Sequence, residues 1–589
     1  MAVEQREGLI CAGPLSEIQA KGCVVVSGRR HGIAVFYHEG HVYAVDNRCP
    51  HMGFPLSKGT LHQGVLTCHW HHARFDLTSG GTFDPFADDV QVYPVHVDNG
   101  MVWIDPRISA ADRTARSYRR LQDGLEQNLG LVIVKSVLAL REAGEPYERI
   151  LAAGARFGTR YRAAGWGPGL TILTALGNLV PQFGPEEQVL ALYHGLVHVA
   201  EDCAGQPPRF ARDPLPTRTV SPERLKEWLR QLVEVRDVEG TERVLRTAIA
   251  NGCPPARVAD MLLAAATDHY FLNGGHTIDF LNKAFELLER SGWDQAEEIL
   301  PGLVPALCRA QRSEESNAWR HPIDLVALLE PVLADLPSLL RERRPSTSWN
   351  GFQPLTSILL GDDPKASVDG LVAALRDGAP LTALSRTVAY AAAVRIARFH
   401  TSNEFGDWIT VLHTFSYANA LHQCLKRAPS PEAARGIFHG AMRLYLDRFL
   451  NIPPARIPEG NAHPDGISAE ALLNEFLDLL DREQQVNAAG SLVHRYLAAG
   501  CDDTLLIQTL GKALLREDAE FHTYQMLEAG IQQYHELKAA HPREACHVLI
   551  AVARYLAAHS PTPRSLLQTA RIAIRLHRGE DLTQPDDET

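Results

Sequence analysis

The hydrophobic pattern of the chain changes once, near residue 108, and this change restricts the fold to two unlike parts. Before it, short β-branched runs such as CVVVSG, HVYAVDN and MVWID are separated by Gly, Asn and Asp, which is typical of strands and turns. After it, segments such as PEEQVLALYHGLVHVAEDC and ERLKEWLRQLVEV are long and amphipathic, as helices of globular proteins are. We therefore expect a multidomain chain in which a small all-β domain precedes a large all-α domain.

Composition and charge exclude several classes of protein. With 589 residues, 45% of them hydrophobic and 22% charged, the chain is globular in character and too long for one ordinary domain. Its net charge of -12 and its lack of clustered Lys and Arg argue against nucleic-acid binding. No apolar run approaches the roughly 20 residues of a membrane helix, and the scattered cysteines suit a reducing compartment. We expect a cytoplasmic protein that binds neither membranes nor nucleic acid.

The β-rich part contains two cysteine–histidine pairs. The segment CPHMG gives Cys49-x-His51, and after sixteen further residues CHWH gives Cys68-x-x-His71. Two thiolates and two imidazoles on a pair of loops are the ligands of a [2Fe-2S] centre with two Cys on one iron and two His on the other. Cys and His at these spacings also suit zinc, so the residues alone leave a structural zinc site open.

These pairs, their spacing and the ARFDLTSG segment that follows them resemble the Rieske family, over about residues 1–108. The resemblance implies that Cys49, His51, Cys68 and His71 bind a [2Fe-2S] cluster. High-potential Rieske proteins carry a further cysteine in each loop, whereas here MGF follows the first histidine and CHWH has one cysteine. The resemblance therefore implies a domain of the ferredoxin or oxygenase type.

The helical part contains an internal repeat. YHGLVHVAEDCAGQPPR parallels FHGAMRLYLDRFLNIPPAR, and GWGPGLTILTALGNLVP parallels GDWITVLHTFSYANALH. Two related halves about a pseudo-twofold axis would place equivalent residues across one interface. The copies run from about 131 to 300 and from about 367 to 555. We predict four regions along the chain: the β domain at 1–108, helical repeat 1 with a connector at 109–365, helical repeat 2 at 366–570 and a disordered acidic tail at 571–589.

Histidines of the two copies are candidate ligands of a second metal. His194 aligns with His439, each in an aromatic-His-Gly segment with an Asp eight residues on, and His276 aligns with His522 across a two-residue gap. Helical bundles build metal sites from inward side chains of facing helices, and imidazole suits Fe(II), Mn or Zn. A histidine on a helix can equally be a hydrogen-bonded core residue, and we keep both interpretations. The predicted set is His194, His198, His276, His413, His439 and His522, with the nuclearity of the site left open.

Asp202 and Asp447, the aspartates of the two aligned segments, have two interpretations. They can orient a ligating imidazole, or they can be polar caps near a helix end.

A second resemblance concerns the helical part. YHGLVH is similar to the His-x3-His segment of the questin oxidase-like family, whose members oxidise aromatic polyketides, some with histidine-bound non-haem iron. His194 and His198 are the two residues of that pattern that can be placed here. The usual Rieske oxygenase instead carries an Asp-x-x-His-x4-His-like segment in a mixed α/β domain, and no such spacing occurs in this sequence. The Rieske resemblance therefore ends near residue 108.

The sequence thus predicts an oxidoreductase, in particular a non-haem iron oxygenase. The cluster would feed electrons to histidine-bound iron in the helical domain, for O2-dependent oxidation of a small organic substrate. No G-x-G-x-x-G segment follows a strand, so electrons would come from an external NAD(P)H-dependent reductase or ferredoxin. Two alternatives stay open: an electron-transfer ferredoxin domain fused to a helical docking scaffold without a second metal, and a helical metal hydrolase with the cluster as a sensor.

Overall fold

The computed structural model describes residues 8–28, 31–107, 110–217, 219–344, 346, 349–460 and 468–580. It confirms the expected fold class, because short strands fill the first hundred residues and helices fill the rest. The chain divides into two compact units, Met1–Tyr147 with Leu566–Thr589, and Glu148–Ser565.

The strands of the first unit form three antiparallel sheets, with the orders β1-β10-β9, β2-β3-β4-β8 and β5-β6-β7. A short helix α1, Leu15–Lys21, follows the first strand. The strand bounds are β1 Ile10–Pro14, β2 Cys23–Ser27, β3 Gly32–His38, β4 His41–Asp46, β5 Thr60–His62, β6 Val65–Thr67, β7 Arg74–Asp76, β8 Val92–Tyr93, β9 Val95–Asp98 and β10 Met101–Ile104.

Strand β3 shows why the alternating pattern forms this β-structure. Ala34 and Phe36 belong to one buried cluster, and Ile33 and Val35 belong to another. Successive side chains of a strand point to opposite faces, so β3 contributes to two cores at once. The first of these cores also contains Cys49 and Cys68.

Three further helices belong to the first unit: α2 Ala110–Glu126, α3 Gly130–Glu142 and α25 Ser565–Arg578. Asp88, which follows β7, pairs with Arg120 of α2 at 2.9 Å and with Lys135 of α3 at 2.5 Å. The compact unit therefore extends past residue 108, where we expected the β domain to end. Helix α25 also covers the start of the predicted tail 571–589, and residues 581–589 lie outside the described part of the chain.

The second unit is built from helices, several of which begin with proline after a capping side chain. Ser221, Asp363 and Ser430 each accept a hydrogen bond from a first-turn amide, which stabilises a helix start. The bounds are α4 Tyr147–Arg160, α5 Pro168–Leu179, α6 Pro185–Cys203, α7 Pro222–Glu234, α8 Val238–Ala250, α9 Pro255–Thr267, α10 His276–Ser291, α11 Ala296–Ile299, α12 Val304–Cys308, α13 Asn317–Arg320, α14 Leu325–Glu342, α15 Phe352–Leu359, α16 Pro364–Arg376, α17 Leu381–Ala397, α18 Phe405–Arg427, α19 Pro431–Leu446, α20 Ala469–Leu479, α21 Val486–Ala498, α22 Asp503–Leu515, α23 Phe521–Leu537 and α24 Pro542–Ala558. Short 3-10 helices join several elements, at Leu56–Lys58, Val180–Gln182, Leu272–Gly275, Trp293–Gln295, Leu300–Leu303, Ser313–Glu315 and Asp447–Asn451.

Four helices form the centre of the second unit. Helix α10 packs on both α5 and α18, and α23 packs on the same two helices. The predicted repeat aligns α5 with α18 and α10 with α23, although the duplication itself stays a prediction. Within the described part of the chain, no helix is both long enough and apolar enough to cross a membrane.

Candidate metal centres

Two loops of the first unit carry the four residues of the cysteine–histidine pattern. Cys49 and His51 lie in the loop after β4, and Cys68 and His71 lie in the loop between β6 and β7. Each loop is closed in the same way, because the amide of its cysteine donates to the carbonyl five residues later, at 2.8 Å for Cys49 and 2.9 Å for Cys68. The two loops therefore present one cysteine and one histidine each from similar turns.

The four side chains differ in exposure. Both cysteines are buried, His51 is half-buried and His71 is exposed. The two imidazole rings lie 4.8 Å apart between centroids. Nδ1 of His51 is buried and has no hydrogen-bond partner among the described residues, which is unusual for a buried polar atom. Paired thiols beside an unpartnered imidazole nitrogen fit the donor set of a [2Fe-2S] centre with mixed ligands.

The electrostatic surroundings favour the metal-binding form of two of these residues, Cys68 and His51. The hydrogen bond between the two thiols, together with burial, raises the pKa of Cys49, and the same hydrogen bond lowers the pKa of Cys68 to about 6. Burial, with the nearby charges of His71 and Lys135, lowers the pKa of His51 to about 4. A metal requires thiolate and neutral imidazole, and a depressed pKa at Cys68 and at His51 favours those forms.

Comparison with known proteins identifies this part of the chain. The family model of the Rieske [2Fe-2S] domain matches residues 8–94. The ferredoxin component of the naphthalene 1,2-dioxygenase/salicylate 5-hydroxylase systems of Ralstonia sp is 33% identical over 96 residues, which are 16% of this chain and 92% of that protein. The chain belongs to the Rieske [2Fe-2S] family. The family resemblance inferred from the loop spacing is thereby confirmed.

Other relatives match the same Rieske domain. The ferredoxin component of the naphthalene 1,2-dioxygenase system of Pseudomonas putida is 35% identical over 83 residues, 14% of this chain and 78% of that protein. Among solved structures, the ferredoxin of carbazole 1,9a-dioxygenase from Nocardioides aromaticivorans IC177 is 23% identical and covers 17% of this chain and 100% of its own, with a TM-score of 0.17. A Rieske domain implies a [2Fe-2S] cluster, so the cofactor belongs to the first unit.

The second unit brings three of the six predicted histidines together. His276 begins α10, His413 lies in α18 and His522 lies in the first turn of α23. One ligand atom from each lies within 4.8 Å of the others, and Nε2 of His413 is 2.9 Å from Nε2 of His522. Burial lowers the pKa of His276 to about 4 and that of His413 to about 3. These two imidazoles are therefore neutral at pH 7, as ligands must be. We call His276, His413 and His522 the histidine triad.

Local structure aims the triad inward. Gly275 has φ +96, and a Cβ there would lie 3.0 Å from the Phe271 ring, 3.2 Å from Cβ of Tyr417 and 3.3 Å from the His413 carbonyl oxygen. A glycine is thus required for α10 to begin against α18. On α23, Nδ1 of His522 lies 2.8 Å from a carboxylate oxygen of Glu520. Such a carboxylate fixes the ring and leaves its Nε2 for a ligand.

The other three predicted histidines lie outside the triad. Nδ1 of His194 lies 2.9 Å from the Tyr524 hydroxyl, and Nε2 of His198 lies 3.2 Å from the same oxygen. His439 stacks on Tyr270 at 4.6 Å between ring centroids, and neither of its nitrogens has a partner among the described residues. His194 and His439 therefore each contact a tyrosine of the other predicted copy.

The two aligned aspartates contact backbone and side-chain groups of neighbouring helices. Asp202 accepts a hydrogen bond at 2.7 Å from the amide of Gly169, in the first turn of α5. Asp447 accepts one from the Thr414 hydroxyl and pairs with Arg443 at 2.9 Å. Asp202 thus caps the start of the neighbouring helix α5, and Asp447 is held by a hydroxyl and a guanidinium group.

The sequence interpretation missed a group of buried charges beside the triad. Asp279, Lys283 and Glu286 of α10 and Glu528 of α23 are all buried. A signal for them is present, because Asp279, Lys283 and Glu286 lie three, seven and ten residues after His276. That spacing places them on one helix face with the histidine.

Proposed function

We propose that the chain is an oxygenase in which the Rieske cluster supplies electrons to a histidine-bound non-haem iron in the second unit. The observation that carries the proposal is the histidine triad, with three imidazoles from three helices in a chain that also holds a Rieske domain. The substrate is a small organic molecule that is oxidised with O2.

We assign the cluster ligands as Cys49, His51, Cys68 and His71. Burial of both thiols and the unpartnered nitrogen of His51 support the assignment. A Rieske cluster supplies one-electron transfer, and the exposed ring of His71 gives an edge by which an electron can enter or leave.

We assign the second metal to the histidine triad. Three imidazole ligands leave coordination positions free for other ligands, as catalytic sites do and closed structural sites do not. Imidazole ligands suit several divalent metals. Iron is favoured over zinc because zinc has no redox chemistry, and the chain carries an electron-transfer domain.

An external reductase or ferredoxin, reduced with NAD(P)H, is the proposed electron donor. Relatives of the Rieske domain are ferredoxin components of dioxygenase systems, which supports this class of partner. Trp70, next to His71, is 37% exposed, and an exposed aromatic side chain suits a docking surface. We also propose a cytoplasmic location. None of the ten cysteines, all of which lie in the described part of the chain, forms a disulfide bond, which supports it.

A second candidate function is an electron-transfer domain on a helical docking scaffold. The observation that favours it is the 2.9 Å contact between Nε2 of His413 and Nε2 of His522. At that distance one imidazole can donate a hydrogen bond to the other, and the triad would then stabilise packing without a metal.

Iron and acid-labile sulfide, measured per purified chain, distinguish the two candidates. We expect iron in excess of sulfide in the wild-type protein, and we expect the excess to disappear in His413→Ala/His522→Ala while sulfide is unchanged. His535→Ala is the matched control, because His535 lies on α23 with an exposed side chain and outside the triad. Equal iron and sulfide in the wild-type protein, with no other metal bound, would support the scaffold instead.

A further inference from the structure

A column of buried polar side chains continues from the histidine triad along α10 and α23. On α10 the column contains Asp279, Asn282, Lys283 and Glu286, and on α23 it contains Gln525, Glu528 and Gln532. All of these except Gln532 are buried, and Glu528 is 0% exposed. Buried helix faces usually carry apolar side chains. Seven polar residues in one column therefore suggest a function other than packing.

The charged members of the column form one hydrogen-bonded network. Nζ of Lys283 donates to Glu286 at 2.7 Å and to Glu528 at 2.6 Å. The side-chain amide of Asn178, on α5, donates to both carboxylates at 2.8 Å. The ammonium and the amide therefore hold the two carboxyl groups together. Although burial opposes it, the charges of Glu286 and Glu528 raise the pKa of Lys283 above its usual value, so Lys283 keeps its proton.

The network buries carboxyl groups among cations. Lys283 bonds Glu286 and Glu528, and two guanidinium groups join at its edge, Arg427 on Asn282 at 3.2 Å and Arg290 on Asn178 at 2.6 Å. Burial of a carboxylate costs free energy even where cations are near. Burial raises the pKa of Asp279 to about 6 and that of Glu528 to about 7. Carboxyl groups with such values bind and release protons near neutral pH.

One end of the column meets solvent. Glu286 and Gln532 line a cavity of about 730 Å³, whose other lining residues include Arg290, Lys426 and Glu536. The cavity is open and polar, so water reaches the carboxylate of Glu286.

The other end of the column approaches the triad. The side-chain amide of Gln525 donates to Asp279. Beyond that bond, Oε1 of Gln525 and Nδ1 of His276 are buried without a hydrogen-bond partner in the described part of the chain. Gln525 follows His522 by three residues, and Asp279 follows His276 by three, so the column and the triad share one face of each helix.

We propose that this column conducts protons from the cavity to the histidine triad, an inference that rests on the proposed oxygenase function. Insertion of oxygen into an organic substrate consumes two electrons and two protons for each O2. If one oxygen atom enters the substrate, the protons leave in water, and if both enter, the protons end on the new hydroxyl groups. The electrons come from reduced pyridine nucleotide through the external reductase and the cluster, and the protons come from solvent through the carboxyl groups of Glu286, Glu528 and Asp279.

The helices packed on the column differ in the groups that they present to it. Cys424 and Arg427 of α18 act on Glu286 and its neighbours, and α5 contributes Asn178. Helix α24 presents Val552 to Gly530 of α23. Helix α22 presents Asp503, which is bonded to Tyr534 and Lys538. The charges that act on Glu528 are those of Lys283 and Glu286 on α10, beside its hydrogen bond from Asn178 on α5.

The variant Glu528→Gln tests the proposal, because glutamine keeps the size of the side chain and one acceptor oxygen but holds no transferable proton. We expect O2 uptake, driven by NADH and a generic ferredoxin reductase, to fall about 10²-fold, the lower end of the loss when a proton-transfer group is removed. The solvent deuterium isotope effect on uptake should rise, with iron and sulfide unchanged. Glu528→Asp, which keeps a titrating carboxyl, should recover part of the rate. Glu297→Gln is the control, because Glu297 is exposed and pairs with Arg246.

An infrared measurement tests the same carboxyl without turnover. Wild-type protein should show a protonated-carboxyl C=O band that titrates near pH 7 and shifts in D2O, and Glu528→Gln should lack it. Unchanged uptake and isotope effect in Glu528→Gln, or a band that does not exchange in D2O, would overturn the proton path. Absence of a second metal or of O2 uptake in the wild-type protein would instead overturn the proposed oxygenase, and exchange of the band would then still decide whether the column carries protons.

Discussion

Tyr524 separates two groups of histidines that the sequence suggested as one set. Its hydroxyl contacts His194 and His198, while His522, two residues earlier, points to the triad. Residues two apart on a helix face different directions, so α23 has a histidine site on one side and a tyrosine–histidine cluster on another. The iron assignment can therefore be tested one residue at a time.

We predict that Tyr524→Phe leaves the iron content unchanged. The variant removes a buried hydroxyl and leaves Nδ1 of His194 without its partner, so the free energy of unfolding should fall by about 1–3 kcal/mol. Denaturant unfolding and metal analysis of the same preparation check both statements. Loss of iron at full sulfide content would contradict the assignment and would show that His194 and His198 contribute to the metal site.

At the scale of elements, the start of α10 determines where the triad forms. His276 follows Gly274 and Gly275, which have φ +64 and +96, and the turn that they make brings α10 against α18. The column of buried charges continues along the same helix. A single element therefore carries a histidine of the triad and most of the proposed proton path.

We predict that Gly275→Ala weakens iron binding more than an alanine at a glycine where a Cβ would contact no other atom. The positive φ and the contacts with Phe271 and Tyr417 force the turn to move, which should cost about 1–3 kcal/mol in unfolding free energy. Gly406→Ala is the matched control, because Gly406 lies in α18 and a Cβ there meets nothing within 4 Å. Thermal melting and iron titration of both variants give the comparison, and equal iron affinity in the two would contradict the prediction.

The sequence predicted those parts of the structure that depend on local spacing. The Cys49-x-His51 and Cys68-x-x-His71 pairs lie in short loops, so their pattern was enough to recognise the Rieske domain. The triad was predicted only as part of a larger set, because His413 and His522 lie 109 residues apart and meet through helix packing. The buried charges of α10 were missed because charged residues in a helix usually face solvent.

At the scale of the whole molecule, one chain carries both the electron-transfer domain and the proposed oxygen site. A covalent link replaces docking in solution and raises the effective concentration of one site at the other. The Rieske relatives described above are named as ferredoxin components of dioxygenase systems. In this chain, electron transfer from the cluster to the proposed iron would not depend on an encounter between two proteins.

We predict that reoxidation of the reduced cluster by O2 follows first-order kinetics, with a rate constant that does not change with protein concentration. Stopped-flow absorbance of the cluster, after reduction with dithionite and removal of excess reductant, measures it. His413→Ala/His522→Ala should reoxidise more slowly, because the acceptor site is lost. A rate constant that rises in proportion to protein concentration would indicate transfer between molecules instead.

The histidine triad also has a consequence for assembly. Its members come from α10, α18 and α23, so the site exists only after both ends of the second unit have packed. Binding energy that favours the folded state stabilises it, so a metal bound to all three helices would tie them together. The rate at which a chelator removes such a metal would then depend on how often these helices separate.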